Sequence, residues 1–155
     1  MIRILYRLAN FMRRKFQRLL NTSTIGVKAL IINTNKEVML VEHTYMSGWH
    51  LPGGGVNPRE TPRAAIVREV REETGIIVHE EPKLFAVYSH LIMGASDYPL
   101  LYVIRDFSLP LQAKLCAEIK QARWFAMDDL PCDTTESTRI RIQEVLNALP
   151  PADRW

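Results

Sequence analysis

The chain has only two cysteines, Cys116 and Cys132, and neither lies in a Cys-x-x-Cys pair or beside a histidine cluster. That argues against a zinc site and against a disulfide framework, and buried or incidental thiols in a cytoplasmic setting fit the pattern. No uninterrupted apolar run is long enough to span a bilayer, and a signal-like apolar core with a small-residue cleavage site is missing. Neither a transmembrane helix nor a secretory signal is therefore expected. Internal repeats and low-complexity tracts are also missing, so 155 residues, 47% hydrophobic and 24% charged, read as one compact domain with a real core.

Acidic residues are absent from the first twenty positions, which hold Arg3, Arg7, Arg13, Arg14, Lys15 and Arg18. The net charge of +3 is lodged there, and the remainder of the chain is slightly acidic. Leu5, Leu8, Met12, Phe16 and Leu19 recur at helical spacing, which predicts a basic amphipathic helix over residues 1–21. Three roles are open to it. It packs on the domain or a second subunit, it lies on an anionic membrane surface through residues 1–20, or it serves as a nucleic-acid contact or transit-like leader.

After Asn21-Thr22-Ser23, residues Thr24–Asn33 and Val38–Glu42 are rich in aliphatic and β-branched side chains around a turn at Asn33-Thr34-Asn35-Lys36, which predicts a hairpin. A helix is expected from Pro62 to Thr74, with Thr61 as its cap, Pro62 at its first position and Gly75 at its left-handed end. Further strands are expected at Leu84–Ser89, Leu100–Phe107 and Ala122–Phe125. A closing helix is expected over Thr135–Ala148 with Ile140, Val145 and Leu149 in its apolar stripe. Pattern alone permits either α/β or α+β.

On the Pro62–Thr74 helix, at about 100° per residue, Glu69, Glu72 and Glu73 fall within one arc. Like charges at i,i+4 such as Glu69 and Glu73 destabilise an isolated helix by about 0.2–0.5 kcal/mol. A hard divalent cation shared between carboxylates and substrate phosphates explains that clustering, and magnesium takes such oxygen ligands. A solvated face relieved by Arg68 and Arg71 is the plainer alternative. The preceding loop, Leu51-Pro52-Gly53-Gly54-Gly55-Val56-Asn57-Pro58-Arg59-Glu60, allows close backbone approach to a phosphate or its metal.

Gly54, five residues, Glu60, seven residues, then Arg68-Glu69-Val70-Arg71-Glu72-Glu73-Thr74-Gly75-Ile76 resembles the complete Nudix box. Trp49-His50-Leu51-Pro52-Gly53 before it and Arg123-Trp124-Phe125 with Asp128-Asp129-Leu130-Pro131 after it extend the likeness. Asn57 and Arg59 depart from it, standing where many relatives have an acid and a glycine. The resemblance implies an α/β class fold, a Nudix-like α/β/α sandwich with a mixed sheet occupying residues 22–155.

It also implies roles. Glu69, Glu72 and Glu73 and the Gly53 carbonyl resemble the family's metal ligands, with Mg2+ as cofactor and Mn2+ as a substitute. Arg68 resembles the arginine that orients the glutamates, and Glu60 the acid that steadies loop and helix. Glu118 is the candidate for a further carboxylate, as a ligand or as acceptor of the proton from the attacking water. Gly54 and Gly55, with Trp49 and Tyr88, are the candidates for substrate contact; Tyr45, His90 and Tyr98 are also near the expected cleft.

The function implied is metal-dependent hydrolysis of the diphosphate linkage in a nucleoside diphosphate joined to another moiety, or in a nucleoside triphosphate, by attack of water on phosphorus. The partner is then a small-molecule nucleotide, and nucleic acid is not expected. A homodimer is common among relatives. The location implied is cytoplasmic, with the basic helix as a peripheral contact on the inner face of the membrane. The alternatives are an RNA 5′-end pyrophosphohydrolase, a non-catalytic nucleotide-binding regulatory module, and another chemistry on the same fold such as isoprenoid isomerisation. No accessory signature for ADP-ribose, dinucleoside polyphosphates, NADH or coenzyme A is recognisable.

Overall fold

The computed structural model describes residues 23–92, 94–109 and 116–155. The amphipathic helix expected over 1–21 lies outside these residues. In chain order the elements are β1 (Thr24–Ile31), β2 (Glu37–His43), β3 (Trp49–His50), α1 (Pro62–Thr74), β4 (Ile77–Val78), β5 (Lys83–Val87), β6 (His90–Ile92), β7 (Ala95–Ile104), β8 (Phe107–Ser108), β9 (Ile119–Ala126) and α2 (Glu136–Leu146).

Strand β1 runs parallel to β7, pairing Thr24 with Asp97 and Ile31 with Ile104, while β5 and β6 join β7 antiparallel, so this sheet is mixed. A second, antiparallel sheet has β2 between β3 and β9, and β4 with β8 forms a small ribbon. Side chains alternate along β1 and so serve two cores. Val27, Ala29 and Ile31 meet Ala65, Ile66 and Val70 of α1, whereas Leu30 joins Leu40, Trp49, Leu51, Leu101 and Ile142 of α2. A helix thus covers each face, which is the sandwich expected.

The β1–β2 hairpin is corrected. The two strands belong to different sheets and touch through a single bridge, Ile32 to Val38. The turn between them is as expected: Asn33 Oδ1 accepts from the amides of Asn35 and Glu37, each at 2.9 Å, and Lys36 takes a φ of 61°. Both edges of β1 are already used, one by β7. On the other, Val27 N donates to Gly54 O and Ala29 N to Pro52 O, each at 2.9 Å, so β2 has no edge to pair with.

Helix α1 has the predicted bounds. Thr61 Oγ1 accepts from Ala64 N at 3.2 Å, and Gly75, at φ 74°, donates its N–H to Arg71 O. Helix α2 forms near its expected place, but its buried face is different: Thr138, Arg141, Ile142 and Glu144 are buried, while Ile140 and Leu149 are 43% and 47% exposed. The reason is a paired charge. Arg141 donates to Glu144 Oε1 at 2.8 Å and to Arg154 O at 2.9 Å, and its guanidinium lies 4.3 Å from the Tyr88 ring centre and 5.6 Å from that of Trp155. A charge paired and covered in this way is tolerated inside, even though Arg141 Nε is buried without a hydrogen-bond partner.

Candidate active site

The glycine loop is zipped to β1 by alternate carbonyls. Those of Pro52 and Gly54 are taken by β1 amides, which leaves the Gly53 carbonyl turned the other way. Gly53 must be glycine: its φ is 137°, and a Cβ there would stand 2.1 Å from Val27 O. At Gly54 the constraint comes from the helix, since a Cβ would lie 2.5 Å from Glu69 Oε1. The close backbone approach expected of this loop is thus spent on β1 and on Glu69. Gly55 has open space at its Cα, and its carbonyl accepts from Arg68 Nη2 at 3.1 Å.

Two of the three helix carboxylates meet this loop. Glu73 is buried and its Oε2 accepts from Gly53 N at 2.8 Å, while Glu69 lies against Gly54. Glu72 is not gathered with them: its side chain is 53% exposed and its carboxylate pairs with Arg68 Nη1 at 3.3 Å. Arg68 holds the frame together. It grips both oxygens of Glu60, at 2.8 and 2.9 Å, and donates to Glu69 Oε1 at 2.8 Å. Glu60 in turn accepts from Asn57 N at 2.9 Å, which ties loop to helix.

Burial dominates the electrostatics. It pushes the Glu73 carboxyl up to about 7 and raises that of Glu69 as well, against the pull of nearby cations. The Arg68 guanidinium, with the Asn57 amide, holds Glu60 down to about 2. Glu118 sits in the turn before β9, anchored by Thr44 N donating to its carbonyl at 2.8 Å. The residue is exposed, and its carboxylate acts on Glu73 as a weak like charge.

Trp49 and Tyr88 are placed otherwise than expected. Trp49 is buried edge-on to Phe125 with ring centres 4.7 Å apart, and Tyr88 is buried with its hydroxyl donating to Glu144 at 2.8 Å. Neither presents a ring face to a base. Aromatic residues before a glycine loop or late in a strand are as readily drawn into the core, and here both are.

Lys28 and His43 went unnoticed in the sequence. Lys28 is the single charge within the otherwise apolar run Ile25–Ile32, and that was the available signal. Its Nζ donates to Gly53 O at 2.9 Å and to Leu51 O at 3.1 Å. Burial lowers its pKa, against the attraction of Glu73, Glu69 and Asp97; the residue is half-buried, and the ammonium is its inward end. His43, at the end of β2, is buried with neither ring nitrogen hydrogen-bonded, and burial pushes its pKa down to about 3.

A description of the NUDIX domain matches residues 22–146. The chain belongs to the Nudix family. It is 35% identical to the m7GpppN-mRNA hydrolase dcap-2 of Caenorhabditis elegans over 68% of this chain and 14% of that protein. To Nudix hydrolase 2 of Arabidopsis thaliana it is 32% identical, over 68% of this chain and 40% of the relative. It thus spans less than half the length of either. An RNA pyrophosphohydrolase of Pseudomonas savastanoi is 28% identical over 84% of this chain and 72% of its own. Among solved structures, a MutT Nudix hydrolase from Burkholderia pseudomallei superposes with a TM-score of 0.69 at 28% identity, covering 80% of this chain and 98% of that one.

Nudix hydrolases generally need a divalent cation, and the donors of this Nudix domain suit a hard one: two carboxylates and a carbonyl, all oxygen, brought to the Gly53–Gly54 backbone. The set is open as it stands. Among the described residues no three His, Cys, Asp or Glu side chains gather closely enough to hold a metal, and Arg68 Nη1 stands between Glu69 and Glu72 as donor to both. A groove of about 1370 Å³ flanks α1, lined by Arg68, Arg71, Glu72, Val67, His79 and Tyr102. It shares Arg68 and Glu72 with the cluster but not Glu69 or Glu73.

Proposed function

We propose that this Nudix protein hydrolyses the diphosphate linkage of a nucleoside diphosphate joined to another moiety, or of a nucleoside triphosphate, with magnesium as its cation and manganese as a substitute. One observation carries the reading: the buried Glu73 carboxylate is locked to Gly53 N beside Glu69, at a cost in charge that a cation relieves.

Glu69, Glu73 and the Gly53 carbonyl would hold the cation, joined by Glu72. Bound there, it offsets phosphate charge and lowers the pKa of the attacking water. Arg68 steadies Glu69 and Glu72 through its ion pairs, and Glu60 keeps Arg68 in place. Glu118 accepts the proton that the water loses as its oxygen bonds to phosphorus, and the bridging oxygen leaves with the electron pair of the broken bond. Gly54 and Gly55 bring backbone up to the phosphates, and the groove beside Glu72 and Arg71 takes the rest of the nucleotide. Residues 22–155 form the catalytic domain in this reading. The basic segment 1–21 touches an anionic surface or a second subunit.

A second reading, hydrolysis at RNA 5′ ends, is favoured by the names of two relatives, dcap-2 and the RNA pyrophosphohydrolase. One assay separates them: nucleotide-sugars, dinucleotides, deoxynucleoside triphosphates and capped or triphosphorylated RNA, each with magnesium and with manganese. Metal-dependent turnover of a mononucleotide substrate with shallow salt dependence supports the first reading. A steep salt dependence on RNA alone supports the second, and no metal-dependent turnover of any substrate refutes both.

A further inference from the structure

The Gly53 carbonyl lies between the two loop carbonyls that the β1 amides take, and the group that satisfies it is the ammonium of Lys28. Lys28 places two of its three N–H donors on Gly53 O and Leu51 O, and its charge acts on Glu73 and Glu69 at the same time. These are a carbonyl and two carboxylates, the donors a divalent ion would use. The position of Lys28 is not adjustable through its backbone, because Gly53 is pressed against Val27 and Lys28 so closely that a Cβ would come within 2.9 Å of the Lys28 Cα. Only the flexible stem can carry the ammonium away.

We infer that Lys28 is a resident cation, held on the Gly53 and Leu51 carbonyls within the field of Glu69 and Glu73 in the metal-free protein, that must leave for a divalent ion to bind, so that it sets the metal affinity of the site. This rests on the metal-dependent reading above. An ammonium and a divalent ion on the same carbonyl oxygen would repel each other across a few ångströms, and that repulsion drives the ammonium from Gly53 O. Its destination is Asp97, the remaining carboxylate acting on it, which β7 holds opposite Thr24 and which accepts from the Thr24 hydroxyl. Lys28 therefore weakens ion binding, and Asp97 partly restores it by receiving the displaced charge. A chain with an apolar residue at this position would hold its cation more tightly and release it less readily.

The test is calorimetric titration of the full chain with manganese alone, and separately with magnesium alone, without nucleotide. Lys28→Met should bind manganese about tenfold more tightly than the parent, a difference of about 1.4 kcal/mol. Lys28→Gln, which keeps an N–H donor for the two carbonyls without the charge, should do the same and covers the case in which the methionine variant does not fold. Asp97→Asn should weaken binding severalfold in the parent and leave Lys28→Gln unchanged, since no ammonium then needs a place. Equal or weaker manganese affinity in Lys28→Gln overturns the inference while leaving the hydrolase reading intact. Absence of manganese binding in both parent and variant overturns the two together.

Discussion

Replacing Glu73 by Gln should stabilise the metal-free protein while abolishing its activity. The side chain is buried, its Oε2 accepts from Gly53 N at 2.8 Å, and burial pushes its carboxyl up to about 7 from an ordinary 4.5. A carboxyl whose pKa is raised on folding binds its proton more tightly in the native state, so its contribution is greatest below pH 4.5 and is lost as pH climbs through 7. The whole displacement corresponds to about 3 kcal/mol. That figure already includes the pull of the Lys28 ammonium, so the variant gains up to about 3 kcal/mol above pH 7, less the cost of burying the amide NH2 that glutamine brings. Glutamine keeps the volume and offers Oε1 to the same Gly53 amide. The assay is urea unfolding of chelator-treated parent and variant at pH 5 and pH 8. The variant should be more stable at pH 8, with the gap narrowing at pH 5, and magnesium should stabilise the parent far more than the variant. Turnover should fall by orders of magnitude. A variant less stable than the parent at pH 8, or fully active with magnesium, would refute the account of a charge buried to meet a cation.

Gly53→Ala forces a Cβ into Val27 O, so the loop must lift from β1. Strained backbone of about 1–3 kcal/mol and two weakened hydrogen bonds of about 1 kcal/mol each should lower the unfolding midpoint and impair metal binding together; unchanged stability would contradict the zipped loop. Arg141→Met leaves Glu144 buried without its cation, and chemical denaturation should show a loss of about 3 kcal/mol with KM unaltered, because the network is packed beneath α2 and away from Glu69 and Glu73. Trp49→Phe should cost stability through lost packing on Phe125 and leave nucleotide affinity unchanged; a selective rise in KM would return Trp49 to the substrate. The full chain should associate with anionic vesicles more than a version lacking residues 1–20, and equal binding would remove the lipid role of that segment.

Local chemistry determined a good deal of this protein from sequence alone. Thr61, Pro62 and Gly75 set both ends of α1, because caps and left-handed glycines act within one turn. The spacing of Glu69 and Glu73 on that helix, and the run of glycines before it, pointed to the candidate site for the same reason: helical periodicity and backbone freedom are properties of short stretches. Tertiary structure alone decided which partners those stretches found. It sent β1 to β7 and to the glycine loop instead of to β2, since strand pairing depends on which edges remain free. It buried Arg141 and Glu144 in a face that apolar periodicity assigned to Ile140 and Leu149, because a charge can be buried wherever a counter-charge and aromatic rings meet it. The Arg68–Glu72 pair, four residues apart on one helix, is by contrast a local contact that the sequence offered; the tertiary structure drew Trp49 and Tyr88 inward and brought Lys28 from 25 residues away onto the Gly53 carbonyl. Electrostatic neighbours of this kind are set by where the chain folds back, and nothing in the local sequence around any one of them encodes it.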